Sequence, residues 1–233
     1  MRDVPIIFSA PMVRALLDGR KTQTRRLATS PLAKVQPGDR LWVRENFATS
    51  DAYGDPAILG VEYAADGSTL AYANGELHYK EHGCAQYPGP WKPSIHMPRW
   101  ASRLTLVVES MKVQRLQDIS EEDARAEGAT QRDTGFRECQ MSVDGGQTFQ
   151  TARWPADSWP MNWEEAEHRA RTSPYAKRLA DCALGSARMA FANYWRRLHG
   201  DDAWAANPFV VALTFTVHRS NIDKLEAREV AIG

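Results

Sequence analysis

Residues 19 to 26 read Gly19-Arg20-Lys21-Thr22-Gln23-Thr24-Arg25-Arg26 and follow a short helical pattern. Gly19 can adopt the left-handed conformation and end a helix without the steric cost of a Cβ atom. Thr24 and Arg26 are two residues apart on the strand that we expect next, so their side chains share a face. The segment therefore predicts a helix-turn-strand unit that carries an amine, hydroxyls and guanidinium groups.

The segments around this unit predict further strands. Upstream, 4–8 is apolar, and Ser9 is a plausible N-cap for the helix. Downstream, a Pro-Gly-Asp turn at 37–39 leads into an alternating strand over 40–47. Glu45 shares a face with the apolar residues of that strand, so we expect it to need a buried partner such as Arg26.

The rest of the chain alternates predicted strands with short helices. Strand patterns cover 58–64, 103–116 (with a bend near Ser110) and 209–218, and helical patterns cover 120–128 and 186–199. We predict an irregular loop over 74–100. Together these patterns predict the α+β class: a small, mostly antiparallel β-barrel with short flanking helices.

Residues 130–185 do not continue this alternation of strands and helices, because they are polar and lack sustained periodicity. We predict that 1–129 and 186–233 form the barrel and that 130–185 is a large insertion packed on it. Within the insertion, 164–171 has a helical pattern. Trp154, Trp159 and Trp163 would be anchors if the insertion binds a protein partner.

Composition limits the classes of function. Lys and Arg total 29, as do Asp and Glu, so the net charge is zero, which argues against a protein that coats long nucleic-acid duplexes. A nucleic-acid partner would meet a local basic patch instead. The sequence has no apolar run of the ~20 residues that span a bilayer, and no secretory signal pattern. Three widely spaced cysteines indicate a reducing, cytoplasmic environment.

The chain resembles the ASCH family, within the PUA-like barrel superfamily. The resemblance rests on three motifs: Gly19-x-Lys21-x-x-Thr24-x-Arg26, the Pro-Gly-Asp turn followed by Leu-Trp-Val-Arg-Glu at 41–45, and 116–128. The segments Trp-Val-Arg-Glu at 42–45 and Lys-Pro-Ser-Ile-His-Met-Pro-Arg-Trp at 92–100 are similar to those of phage- and prophage-encoded members. The resemblance covers roughly 4–128 and 187–218.

The resemblance implies binding of RNA or nucleosides. A small bacterial member of the family is an amidohydrolase that removes acetyl from N4-acetylcytidine with a Lys, a Thr and a Glu. Motif by motif, these residues correspond to Lys21, Thr24 and Glu127, which the resemblance implies are catalytic. This chain is about twice as long as those small members, and the family motif also occurs in members of unestablished activity.

The residues themselves are compatible with that chemistry. A threonine hydroxyl is a weak nucleophile that needs a base, and Lys21 can serve as the base if it is neutral. Burial and a nearby Arg25 or Arg26 would lower the pKa of Lys21, whereas Glu127 would raise it. Glu127 would orient Lys21 or bind the edge of a base. The alternative for Glu127 is a solvated helix end.

Five further residues are candidates for substrate binding: Arg25, Arg26, Glu45, Trp42 and Arg44. Arg26 would stabilise an oxyanion or hold a phosphate. The aromatic residues that would stack on a base are Trp42, Phe47, Tyr63 and Trp100. The alternatives are a structural ion pair for Glu45 and core packing for the aromatic residues.

We predict no cofactor and no metal. His78, His82 and Cys84 have the spacing of a partial zinc site, but the glycine and prolines beside them argue against a sustained helix. Two other functions stay open besides catalysis. One is a non-catalytic RNA-binding module, and the other is a phage assembly or regulatory protein that acts through the insertion.

Overall fold

The computed structural model describes residues 1–51, 58–74, 76–79, 89–129, 132–142, 147, 149–158, 186–200 and 202–225. Its strands are β1 (Asp3–Ile7), β2 (Gln23–Leu27), β3 (Arg40–Arg44), β4 (Phe47–Asp51), β5 (Leu59–Tyr63), β6 (Thr69–Ala73), β7 (Glu76–Tyr79), β8 (Thr105–Arg115), β9 (Arg132–Ser142), β10 (Phe149–Ser158) and β11 (Phe209–His218). Its α-helices are α1 (Ala10–Leu17), α2 (Glu121–Ala126), α3 (Ala187–His199) and α4 (Asp202–Ala205).

A five-stranded sheet has the strand order β1-β3-β8-β11-β2. The pairing of β1 with β3 is parallel, and the other pairings in this sheet are antiparallel. The mixture of helices with mostly antiparallel sheets confirms the coarse α+β prediction. Among the described residues, no strand pairing joins β1 to β2, so closure of this sheet into the expected barrel stays a prediction.

Strand β11 lies between β8 and β2 and supports β2, the strand that carries Thr24. Consecutive residues from Val210 to Leu213 are buried, as expected for a strand covered on both faces. Its register places Leu213 opposite Thr24 of β2. On the other side, the pairing with β8 shifts by one residue between Ser110 and Val108. This irregularity lies where the sequence predicts a bend.

A four-stranded antiparallel sheet follows, with the order β4-β5-β6-β7. Phe47, Val61, Tyr63, Leu70, Met97 and Ala101 form its buried apolar cluster.

Two predictions fail in this sheet. The single strand predicted over 40–47 is two strands in different sheets, because the chain turns away after Arg44 and Phe47 pairs with Tyr63 instead. The predicted loop over 74–100 contains β7. Residues 80–88 of that loop lie outside the described residues.

By its contacts the chain divides into two compact units, one of 1–116, 126–128 and 208–233 and the other of 117–125 and 129–207. The second unit contains the β9–β10 hairpin, within the predicted insertion, where the sequence analysis identified no strand. Its helix α3 is capped by Ser186, whose side chain accepts a hydrogen bond from the Met189 amide.

The predicted domain boundaries at 129/130 and 185/186 stay a prediction. Residues 159–185 lie outside the described residues, and with them Trp159, Trp163 and the helix predicted over 164–171. In the part of the chain that the structure describes, no helix has the length and apolarity needed to cross a membrane.

Candidate functional site

The turn after α1 delivers Lys21 to the start of β2. Gly19 has a φ of 71°, the left-handed conformation that its position in the sequence predicts. The main-chain amides of Arg20 and Lys21 both donate to the Ala15 carbonyl at 3.0 Å. These bonds satisfy the Ala15 carbonyl, which lies in the last turn of the helix, and direct the chain into the strand.

Glu127 reaches Lys21 through a local main-chain pairing. Lys21 and Glu127 form an isolated antiparallel bridge, and the Thr22 amide donates to the Ala126 carbonyl at 2.9 Å. Helix α2 ends at Ala126, and Gly128 has a φ of 97°. The short helix therefore ends where its next residue becomes an edge partner of the Lys21 segment.

The Lys21 amine is buried and surrounded by acceptors. Its Nζ atom donates to Glu127 Oε2 at 2.7 Å, to the Glu127 carbonyl at 2.9 Å and to the Gln23 carbonyl at 2.9 Å. The side chain is 1% exposed. Three acceptors match the three donors of an ammonium group, whereas a neutral amine can donate only two of these bonds.

Opposing influences act on the proton of Lys21. Burial lowers the pKa of Lys21, because the charged form loses its hydration, and the positive charges of Arg26 and Arg25 lower it further. The Glu127 carboxylate raises it through its charge and its hydrogen bond. The net direction of the Lys21 pKa shift is downward, which is the direction that a lysine needs to serve as a base.

Arg25 shares Glu127 with Lys21. Its Nη1 atom donates to Glu127 Oε1 at 3.1 Å and to Gln23 Oε1 at 2.5 Å. The Arg25 side chain is fully buried. The carboxylate of Glu127 is thus held on one oxygen by Lys21 and on the other by Arg25. Charged groups that are buried this deeply need hydrogen-bonded partners of opposite charge.

Thr24 and Arg26 are in direct contact, as the strand alternation predicts. Arg26 Nη1 donates to Thr24 Oγ1 at 2.7 Å, and Arg26 Nη2 donates to the Ile7 carbonyl at 3.0 Å. The Phe8 ring lies beside both cations: the Lys21 Nζ atom is 5.5 Å and the Arg26 Cζ atom 5.1 Å from its centroid. Thr24 is fully buried in this conformation.

Thr24 and Lys21, the candidate nucleophile and base, are three residues apart in sequence and make no hydrogen bond to each other. Among the described residues, Thr24 Oγ1 accepts a hydrogen bond from Arg26, and no bond links it to Lys21 Nζ. The positive charge of Arg26 would favour any negative charge on or next to Oγ1. To act as a base, Lys21 must give up one of its three hydrogen bonds.

Glu45 is buried in a different ion pair from the one expected. Its carboxylate accepts two hydrogen bonds from Arg103, at 2.8 and 2.9 Å, and Arg103 also binds Asp66 at 2.9 Å. Burial raises the pKa of Glu45, although the hydrogen bonds and charge of Arg103 oppose the shift. The prediction of Arg26 as its partner is wrong, because the side chain of Arg26 extends to Ile7 and Thr24.

Trp42 and Arg44 lie on β3 and contact each other, with the Arg44 Cζ atom 5.3 Å from the centroid of the Trp42 ring. Arg44 also donates to the Ile95 carbonyl. The Arg44 carbonyl accepts a hydrogen bond from the Phe8 amide at 3.1 Å. In the described part of the chain, no side-chain hydrogen bond or ion pair joins Trp42 or Arg44 to Lys21, Thr24 or Glu127. Their assignment to substrate binding stays a prediction.

The sequence analysis missed two residues that lie against the charged side chains of this site, Gln23 and Phe8. Gln23 accepts hydrogen bonds from both Lys21 and Arg25, through its carbonyl and its side chain respectively. Period-two alternation places Gln23 on the face of Arg25, and that signal could have identified it. Phe8 carries no comparable signal, since an apolar residue after a strand is ordinarily a core residue.

The partial zinc pattern that the sequence analysis set aside falls mostly outside the described residues, because it needs His82 and Cys84. Within the described ranges, no group of three His, Cys, Asp or Glu side chains is placed to hold a metal ion.

No protein-family model, curated protein or solved structure matches this chain.

Proposed function

We propose that the chain is an ASCH-type cytoplasmic protein with a PUA-like barrel, and that it acts on nucleosides or RNA as an amidohydrolase. Its substrates would be N4-acylated cytidines of the N4-acetylcytidine type. Lys21 would be the base, Thr24 the nucleophile and Glu127 the carboxylate that orients Lys21.

One observation carries this proposal. Lys21 and Glu127, which are 106 residues apart in sequence, meet in a buried hydrogen-bonded ion pair beside the strand that holds Thr24. A buried amine with a lowered pKa is the kind of base that a threonine nucleophile requires. The Arg26 guanidinium beside Thr24 would stabilise the oxyanion of the tetrahedral intermediate.

The proposed reaction has two stages. Thr24 Oγ1 attacks the acyl carbonyl carbon, and its proton passes to Lys21 Nζ. The carbon–nitrogen bond then breaks, Nζ returns the proton to the leaving amine, and Thr24 holds the acyl group as an ester. A water molecule hydrolyses the ester, which releases the carboxylic acid and restores the Thr24 hydroxyl.

The test is incubation of the purified full-length chain with N4-acetylcytidine, with cytidine release followed by chromatography. We expect release that Lys21→Met and Thr24→Val abolish and that Thr24→Ser partly retains. Thr216→Val, at an exposed position of β11, is the matched control and should release cytidine at the normal rate. Mass spectrometry of the acid-quenched reaction should find an acetyl group on Thr24.

A non-catalytic nucleoside- or RNA-binding module is the second candidate. The observation that favours it is the set of three acceptors around Lys21 Nζ, which suits an amine that stays an ammonium. In that case the intact protein would release no cytidine even at high enzyme concentration. Fluorescence anisotropy would still detect binding of cytidine-containing RNA, and Arg26→Gln would weaken this binding.

A further inference from the structure

The Glu127 carboxylate divides its two oxygens between two buried cations. Oε2 accepts from Lys21 at 2.7 Å, and Oε1 accepts from Arg25 at 3.1 Å. The exposed fraction is 6% for the Glu127 side chain, 1% for Lys21 and 0% for Arg25. Lys21 therefore binds only one of the two carboxylate oxygens, and a second positive charge lies on the other oxygen.

Positive charge exceeds negative charge in this cluster. Three charged groups face Lys21. The Glu127 carboxylate lies on the segment after α2, and the guanidinium groups of Arg25 and Arg26 lie on β2. The Phe8 ring, which follows β1, adds no charge. Arginine keeps its proton at any accessible pH, so Lys21 is the cation that can relieve the excess by losing a proton.

Gln23 fixes the position of Arg25. Its side-chain oxygen accepts from Arg25 Nη1 at 2.5 Å, and its side-chain amide donates to Thr214 Oγ1 at 3.2 Å. Thr214 lies opposite Gln23 in the β2–β11 register. The amide group is therefore tied to the neighbouring strand at one end and to the guanidinium at the other.

We propose that Gln23 and Arg25 are positioning residues that control the charge of Lys21. By holding Glu127 Oε1, Arg25 keeps this oxygen from binding the Lys21 ammonium. The positive charge of Arg25 also repels the ammonium form of Lys21. Gln23 keeps Arg25 in the place where it does both. The inference rests on the proposed function in that it gives Lys21 the role of base.

The direct test is the titration of Lys21 by NMR in the full-length chain with ¹³C-labelled lysine side chains. The Lys21 signal is assigned by its absence in Lys21→Arg. Replacing Arg25 with Gln removes a cation and frees Glu127 Oε1 for Lys21, so both effects strengthen proton binding. We expect the proton affinity of Lys21 to rise about tenfold or more in Arg25→Gln.

Further variants separate positioning from general structural damage. Arg25→Lys keeps a cation and should reverse much of the shift. Gln23→Leu should shift Lys21 in the same direction by less, and Arg115→Gln, at an exposed position, should leave it unchanged. If Arg25→Gln does not fold, as judged by circular dichroism, Gln23→Leu decides the question. An unchanged or lowered proton affinity in the decisive variant would overturn the inference.

A parallel activity measurement distinguishes the two proposals. If deacylation occurs, the rise of activity with pH should move to higher pH in Arg25→Gln, because Lys21 then loses its proton later. Deacylation with an unmoved profile would overturn this inference and leave the proposed function in place. Absence of deacylation together with the expected NMR shift would overturn the proposed function and leave this inference in place.

Discussion

Arg26 Nη2 donates a hydrogen bond to the Ile7 main-chain carbonyl at 3.0 Å, and so a side chain of β2 spans to the end of β1. These strands are the two edges of the five-stranded sheet. The same guanidinium donates to Thr24 Oγ1. One side chain thus links the sheet edges and covers the hydroxyl that we propose as nucleophile.

Replacement of Arg26 should loosen this connection. We expect Arg26→Ala to lower the free energy of unfolding by about 1–2 kcal/mol, because hydrogen bonds to charged groups are stronger than neutral ones but this side chain is half-exposed. Urea unfolding provides the measurement. Lys112→Ala, at an exposed position of β8, is the control and should change stability by less than about 0.5 kcal/mol. Equal losses in both variants would contradict a linking role.

The Lys21–Glu127 pair should lose stability asymmetrically. Glu127→Gln leaves two buried cations without their carboxylate and should cost about 3–5 kcal/mol. Lys21→Met should cost less, because Arg25 still pairs with Glu127. The double variant should cost less than the sum of the two single changes, which a double-mutant cycle by urea unfolding measures. Strict additivity would mean that the pair contributes no coupling.

Glu45 should make stability depend on pH. Burial raises the pKa of Glu45 in the folded chain above its ordinary value of 4.5, so the folded state holds this proton at pH values where the unfolded state has lost it. The Glu45 contribution to the free energy of unfolding should therefore fall as pH rises from about 4.5 through the folded-state pKa. Urea unfolding across this range, compared between the parent chain and Glu45→Gln, isolates this contribution.

The control for this pH series is Glu109→Gln, an exposed carboxylate on β8, which should leave the pH dependence of the parent chain intact. A Glu45→Gln variant with the same pH dependence as the parent would contradict the assignment.

Ser186 should stabilise helix α3 by its cap. Its hydroxyl accepts from the Met189 amide at 3.2 Å, so Ser186→Ala should cost about 1 kcal/mol. Ser186→Asp should retain most of the stability, because aspartate caps equally well. Hydrogen exchange at the Met189 amide is the measurement, and an unchanged exchange rate in Ser186→Ala would count against the cap.

Local patterns predicted the elements around the site well. The helix, the Gly19 break and the alternation of Thr24 with Arg26 involve residues a few positions apart, where propensity, capping and strand period act directly. The split of 40–47 into two strands escaped prediction. Alternation continues through Glu45, so no local signal marks the point at which the chain leaves one sheet for another.

The β9–β10 hairpin was missed for another reason. Its strands are polar, so hydrophobic periodicity gave no signal, although Asp144-Gly145-Gly146 between them is a typical turn sequence. Weighting that turn signal above periodicity would have found the hairpin.

The sequence by itself determined where the helix before the site ends, which residues of β2 share a face, and which charged groups are available there. The partners of the buried charges were decided only by the tertiary structure. Glu45 pairs with Arg103, 58 residues away, and Glu127 pairs with Lys21 and Arg25, 106 and 102 residues away. A buried charge must pair with whichever opposite charge the fold brings within hydrogen-bond distance, and the tertiary structure rather than sequence spacing decides which one that is.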